Sequence, residues 1–235
     1  MKKIIAFLLV LTLVFSFAGC SNNEDVSSNP NNRTYIGTIT VALDSEAAPI
    51  TVQNFIDLAK DGFYNGLTFH RIIEGFMMQG GDPKGNGTGG SKNQIKGEFL
   101  ANGVNNTLSH KRGVISMARS GSVYEQYLAA GYKLSDLPAD VVSDIENAMN
   151  SASSQFFIVH QDSTFLDGNY AAFGEVTRGM DIVDAICENA VTTDDNGSVP
   201  EDKRPYIKSI NIKRSGSSGK VYADIAVVYT AVMAK

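Results

Sequence analysis

The feature that most limits how this chain can fold is a succession of short, apolar or β-branched runs separated by glycine-rich turns. Residues 35–43, 68–73, 76–79, 114–118, 156–159, 171–176 and 206–213 each read as a strand. Within 51–60, Val52, Phe55, Ile56 and Ala59 fall on one helical face. Pro49 precedes them, Thr51 is the expected N-cap and Gly62 stands at the expected stop. A second helix is expected over 180–188. Many short strands with two helices, not alternating βαβ units, predict a mainly β domain: a closed antiparallel barrel capped by helices. With 43% hydrophobic and 19% charged residues, the chain is neither disordered nor a polytopic membrane protein.

Two stretches stand outside that pattern. In 121–149, Tyr124, Tyr127 and Leu128 share one face and stop at Gly131. Val141, Val142, Ile145, Ala148 and Met149 share another, with Pro138 before them. This predicts a helix pair inserted between two strands, either a functional wall or client dock beside the site, or a surface ornament. Residues 215–235 follow a Ser/Gly linker and are apolar and Ala/Val-rich. They are expected to be a C-terminal extension, an added strand or helix of no assigned role.

The N-terminus reads as an address. Lys2 and Lys3 precede an apolar run over 4–18, shorter than the roughly 20 residues a spanning helix needs. The run ends in Phe17-Ala18-Gly19-Cys20, which resembles the lipobox of bacterial lipoproteins. That resemblance implies a signal peptide over 1–19 and a lipidated Cys20, with a plain signal peptide as the alternative. Residues 20–33, rich in Asn and Ser, read as a flexible tether. The domain at 34–214 is then expected at an extracytoplasmic membrane face, anchored to the membrane through the N-terminal lipid.

Several chemistries find little support. A net charge of −5 argues against nucleic acid as a partner. The histidines His70, His110 and His160 lack metal-ligand spacing, so no metal is expected. Gly85, Gly87 and Gly90 form a G-x-G-x-x-G string, but neither a strand nor a helix flanks it as a dinucleotide site requires. Cys187 lies in an amphipathic helical pattern and is expected to be a buried thiol.

The informative blocks are Phe69-His70-Arg71-Ile72-Ile73, Gly75-Phe76-Met77-Met78-Gln79-Gly80-Gly81-Asp82 and Gly113-Val114-Ile115-Ser116-Met117-Ala118-Arg119. After them come Ser154-Gln155-Phe156-Phe157-Ile158, Phe165-Leu166-Asp167-Gly168 and Phe173-Gly174. In this order they resemble the cyclophilin family of peptidyl-prolyl cis-trans isomerases. The resemblance implies an eight-stranded barrel and a reaction without cofactor, on proline-containing polypeptide clients. It implies that Arg71 and Gln79 are catalytic, Gln79 orienting the arginine. Phe76, Met77, Phe157 and Leu166 would form the proline pocket. Ala118 and Arg119 would pair with the substrate backbone, Gln155 would contribute a substrate contact, and His70 would either line the site beside Arg71 or play a structural role. The implied function is to assist folding of secreted or envelope proteins. The alternative is a cyclophilin-like module that binds proline-containing peptides without turning them over.

Three positions depart from the family pattern. Arg119 stands where Asn is usual, Phe165 where Trp is common and Tyr170 where His is common. Phenylalanine keeps an apolar wall but offers no N–H donor. A cyclosporin-type ligand is therefore expected to bind, but weakly.

Overall fold

A computed structural model describes residues 32–232. The expected signal peptide, Cys20 and nearly all of the tether lie outside the described residues. The strands are β1 (Asn32–Leu43), β2 (Thr68–Ile73), β3 (Met77–Asp82), β4 (Val114–Met117), β5 (Phe156–Val159), β6 (Ala172–Arg178), β7 (Tyr206–Arg214) and β8 (Val221–Val232). They close into an antiparallel barrel in the order β1-β6-β4-β5-β3-β2-β7-β8.

Side chains alternate across a strand, and in the barrel wall near the site both faces are covered. Met78, Ile115, Phe156 and Ile158 point into the main core. Their neighbours Met77, Val114, Phe157 and Val159 form a second apolar cluster with Leu166 and Ala172. This is why β4 and β5 read as continuous apolar runs rather than alternating ones. Inside the barrel, the Phe55 ring lies 5.2 Å from Tyr64, 5.3 Å from Phe173 and 5.6 Å from Phe156, mostly edge-on or tilted.

Helices α1 (Pro49–Lys60) and α4 (Met180–Glu188) pack on the barrel, α1 burying Val52, Phe55, Ile56 and Ala59. α1 begins two residues before the expected cap. Its N-terminus is satisfied from a distance: the buried Glu98 carboxylate accepts from the amides of Ile50 (3.0 Å) and Thr51 (2.8 Å) and from the Thr51 hydroxyl (2.7 Å). An anion at this end also suits the helix dipole. Cys187 is buried on α4, and burial pushes its thiol up to about 12, so it stays protonated and unreactive.

The expected insertion is present as α2 (Glu125–Ala129) and α3 (Ala139–Met149), with a 3-10 turn at Leu134–Asp136 between them. α3 is docked, not dangling: Ile145 and Met149 enter the main core.

The reading of 215–235 as an appended extension needs correction. β8 is the closing strand of the barrel, paired with β1 from Val221 to Val232 and with β7 through a hairpin at 215–220. Its alternate residues Ala223, Ile225 and Val227 are fully buried. The domain therefore continues past 214 to at least Val232. Truncating Ile225→Ala should cost about 2–5 kcal/mol, read as a lower urea midpoint at unchanged slope.

Candidate functional site

The site is assembled by strand register. Arg71 on β2 lies opposite Gln79 on β3, and Gln79 lies opposite Phe157 on β5. Three neighbouring strands thus present a cation, an amide and an apolar ring side by side. Gly81 allows β3 to end where it does. Its φ of +82° suits glycine, and a Cβ there would sit 2.5 Å from the Ser154 carbonyl oxygen.

Arg71, Phe76, Met77, Gln79, Ala118, Arg119, Phe157, Leu166 and Tyr170 line a cavity of about 170 Å³, room for one small side chain. Met77, Phe157 and Leu166 form its buried floor. At its edge Arg71 Nη1 donates to Gln79 Oε1 at 3.3 Å and Arg71 Nε donates to the Asn196 carbonyl at 2.8 Å. Gln79 Nε2 donates to Gln155 Oε1 at 2.8 Å. Gln155 Nε2 in turn donates to the carbonyls of Gly87 (3.0 Å) and Gly89 (2.7 Å). The relay fixes each amide orientation, because the terminal carbonyls can only accept. The guanidinium carbon lies 5.9 Å from the Phe76 ring centre. Partial burial draws the Arg71 pKa below its ordinary value, yet arginine remains charged.

A second, polar cavity of about 640 Å³ adjoins the first and shares Gln79, Ala118 and Arg119 with it. Its wall uses the residues that flank the insertion, Ser120 and Ser151, with the Ser120 amide donating to Ser151 Oγ at 2.8 Å. No residue of α2 or α3 lines either cavity.

Of the residues expected at the site, Arg71, Phe76, Met77, Gln79, Ala118, Arg119, Phe157, Leu166 and Tyr170 line the small cavity, and Gln155 lines the larger one. Two are placed elsewhere. Phe165 is 71% exposed on the rim, its ring 5.5 Å from that of Phe76. His70 is buried and lines neither cavity; its Nε2 lies under Gly87, and neither ring nitrogen has a hydrogen-bond partner among the described residues. A register shift in β2 at this point separates it from the Arg71 face. Burial lowers its pKa, which favours the neutral ring. His70 is therefore a buried neighbour of the site that lines neither cavity.

Sequence reading missed a support beneath the floor. His110 Nδ1 lies 2.8 Å from Asp167 Oδ1 and His110 Nε2 lies 3.0 Å from Ser116 Oγ. Asp167 also accepts from the His110 amide (2.7 Å) and the Ser109 hydroxyl (2.6 Å). The aspartate can only accept, so Nδ1 carries the proton, and burial keeps His110 neutral by lowering its pKa. The order Ser, His, Asp mimics a hydrolase triad, but Ser116 and His110 have no solvent exposure, so no substrate can reach the hydroxyl. The network braces Phe157, on which the His110 ring stacks at 6.1 Å.

A fixed cation beside a small apolar pocket matches the needs of prolyl isomerisation. Rotation about an amide meets a barrier of about 18–20 kcal/mol because resonance must be broken. In the twisted state the proline nitrogen regains its lone pair, and a preorganised donor aimed at that atom stabilises the twisted amide over the planar one. The pocket holds the ring while the flanking chain turns.

The family model described as cyclophilin type peptidyl-prolyl cis-trans isomerase matches residues 31–129 and 141–216. The chain belongs to the cyclophilins. It is 38% identical over 156 residues to a peptidyl-prolyl cis-trans isomerase of Helicobacter pylori, covering 66% of this chain and 77% of the relative. It is 40% identical over 143 residues to peptidyl-prolyl cis-trans isomerase B of Bacillus subtilis, covering 61% of this chain and 78% of the relative. Among solved structures, a Cryptosporidium parvum cyclophilin superposes with a TM-score of 0.52, covering 86% of this chain and 99% of that one at 23% identity, a likeness of fold. The break in the family match falls inside 121–149, and the match stops before β8. This cyclophilin is accordingly a peptidyl-prolyl cis-trans isomerase.

Replacing Arg71 with Ala should lower kcat/KM by about a hundredfold or more in a prolyl-isomerisation assay, with thermal midpoint retained. Gln79→Ala should cost less, because the arginine keeps its bond to Asn196.

Proposed function

We propose that this cyclophilin assists the folding of secreted or envelope polypeptides at the extracytoplasmic face of a membrane, held there by a lipid on Cys20. Its clients are chains with slow X–Pro bonds, which isomerise uncatalysed over tens to hundreds of seconds. The observation that carries the catalytic part is Arg71 held by Gln79 at the mouth of the 170 Å³ pocket. The Cryptosporidium parvum neighbour was solved in the presence of the dipeptide Ala-Pro, which supports proline as the occupant. The placement rests on the sequence: Lys2 and Lys3, the apolar run and the Ala18-Gly19-Cys20 ending, followed by a polar tether. Expressed in a bacterial host, the full chain should fractionate with membranes. Cys20→Ala should release the isomerase activity or leave the signal uncleaved. A Cys20→Ala protein that is processed and distributed like the wild type would overturn the lipid anchor.

The same pocket rim bears on inhibitors. Phe165 keeps an exposed ring against Phe76 and supplies no donor. A cyclosporin-type ligand should bind weakly to the wild type, and Phe165→Trp should tighten it about tenfold, the order of one added hydrogen bond, in a titration.

A further inference from the structure

Arg119 is the departure from the family pattern that the structure explains. Its side chain is only 4% exposed, yet every polar group on it is used. Nε donates to the Asn169 carbonyl at 2.9 Å. Nη1 donates to the Ser120 carbonyl at 2.9 Å and to Glu125 Oε1 at 2.7 Å, and Nη2 donates to Glu125 Oε2 at 2.9 Å. The guanidinium carbon lies 4.9 Å from the Tyr170 ring centre and 5.2 Å from that of Phe99. One planar group thus joins the strand-edge backbone, the loop that supplies Leu166 and Tyr170, and the first helix of the insertion.

Glu125 is the only one of these partners that carries a charge. It is itself held in place by the Ser122 amide at 3.0 Å, and hydrogen bonds from Arg119 keep its carboxyl below the usual carboxylate range. Its helix is tied onward. Ser122 Oγ donates to Asp144 on α3, and α3 is fixed by Ile145 and Met149 in the main core. The carboxylate is therefore preorganised to meet the guanidinium with two parallel bonds, the geometry that arginine favours.

Arg71 and Arg119 both line the 170 Å³ cavity. The partners of Arg71 are neutral, whereas Arg119 has a bidentate carboxylate. We propose that Glu125, supplied by the insertion, is a positioning residue for this isomerase: it locks Arg119 between the two cavities, and so holds the substrate-pairing edge and the Tyr170 wall in register with Arg71. The insertion acts on the site through this ion pair and not by covering it, which agrees with α2 and α3 lining neither cavity. Without Glu125 a nearly buried guanidinium loses its counter-charge. It then swings toward water, uncovering Tyr170 and releasing the Asn169 carbonyl. The chemistry at Arg71 is untouched, so the loss falls on binding. The inference rests on the family's isomerase activity and not on where the protein is anchored.

The test is steady-state prolyl isomerisation by the full-length protein with Glu125→Gln, Arg119→Met and the double variant, each with its thermal midpoint. Gln is isosteric with Glu, and Met keeps the apolar stem over Tyr170 and Phe99. Wild-type turnover on the same peptides is the reference for every arm. Expected is a rise in KM of about five- to tenfold for each single variant, kcat within about twofold, and a double variant no worse than the poorer single. Midpoints should stay close to wild type. Wild-type KM in Glu125→Gln, losses that multiply in the double variant, or losses that appear only in proportion to a lowered midpoint would each overturn the proposal.

Discussion

The structure depends on the pairing register of β2, β3 and β5. Arg71, Gln79 and Phe157 lie side by side only because each strand is fixed at one residue of offset relative to the next. A slip by one position would turn Arg71 into the aromatic core and Ile72 into the pocket. What forbids the slip is burial on both faces of the wall. Phe156 and Met78 are committed to the interior as firmly as Phe157 and Met77 are to the outer cluster. Catalytic geometry is thereby set by packing energy that has no chemical role of its own.

Carboxylates with several donors each extend this control to the loops. Glu98 reaches across to cap α1, Asp167 gathers Ser109 and His110, and Asp82 accepts from the amides of Lys84 (2.8 Å), Asn86 (3.1 Å) and Gly87 (2.7 Å). Glu98 and Asp82 are buried and trade water for several convergent donors, which is the condition under which a buried charge is tolerated, while the half-exposed Asp167 keeps part of its hydration. Gln155 then ties the Gly87–Gly89 segment of that same loop to Gln79 and through it to Arg71. The glycine-rich stretch that superficially matches a nucleotide motif is the far end of the arginine relay. Its carbonyls face the site, and a phosphate would need amides.

Most of the barrel was legible from local pattern, since strands β2, β5 and β7 and helix α4 fall within a residue of where composition and periodicity put them. β8 was not, because an Ala/Val-rich run takes either helix or strand until a partner decides. β1 and β7 provide that partner along its whole length. The site residues were legible through ordered blocks; His70 is adjacent to Arg71 in sequence, but strand alternation plus a register shift send it to the other face. The Ser116-His110-Asp167 line and the Arg119–Glu125 pair carry no sequence signature, because neither is encoded by a spacing.

By itself, the sequence determined the residue types that isomerisation needs and the barrel class, both of which are written in neighbouring residues. Tertiary structure alone decided that the C-terminal run closes the barrel, that the triad-like line is a brace, and that the insertion reaches the site through one ion pair. Those outcomes depend on which distant groups share a buried space. Desolvation in that space turns ordinary side chains into partners, and no local pattern contains that information.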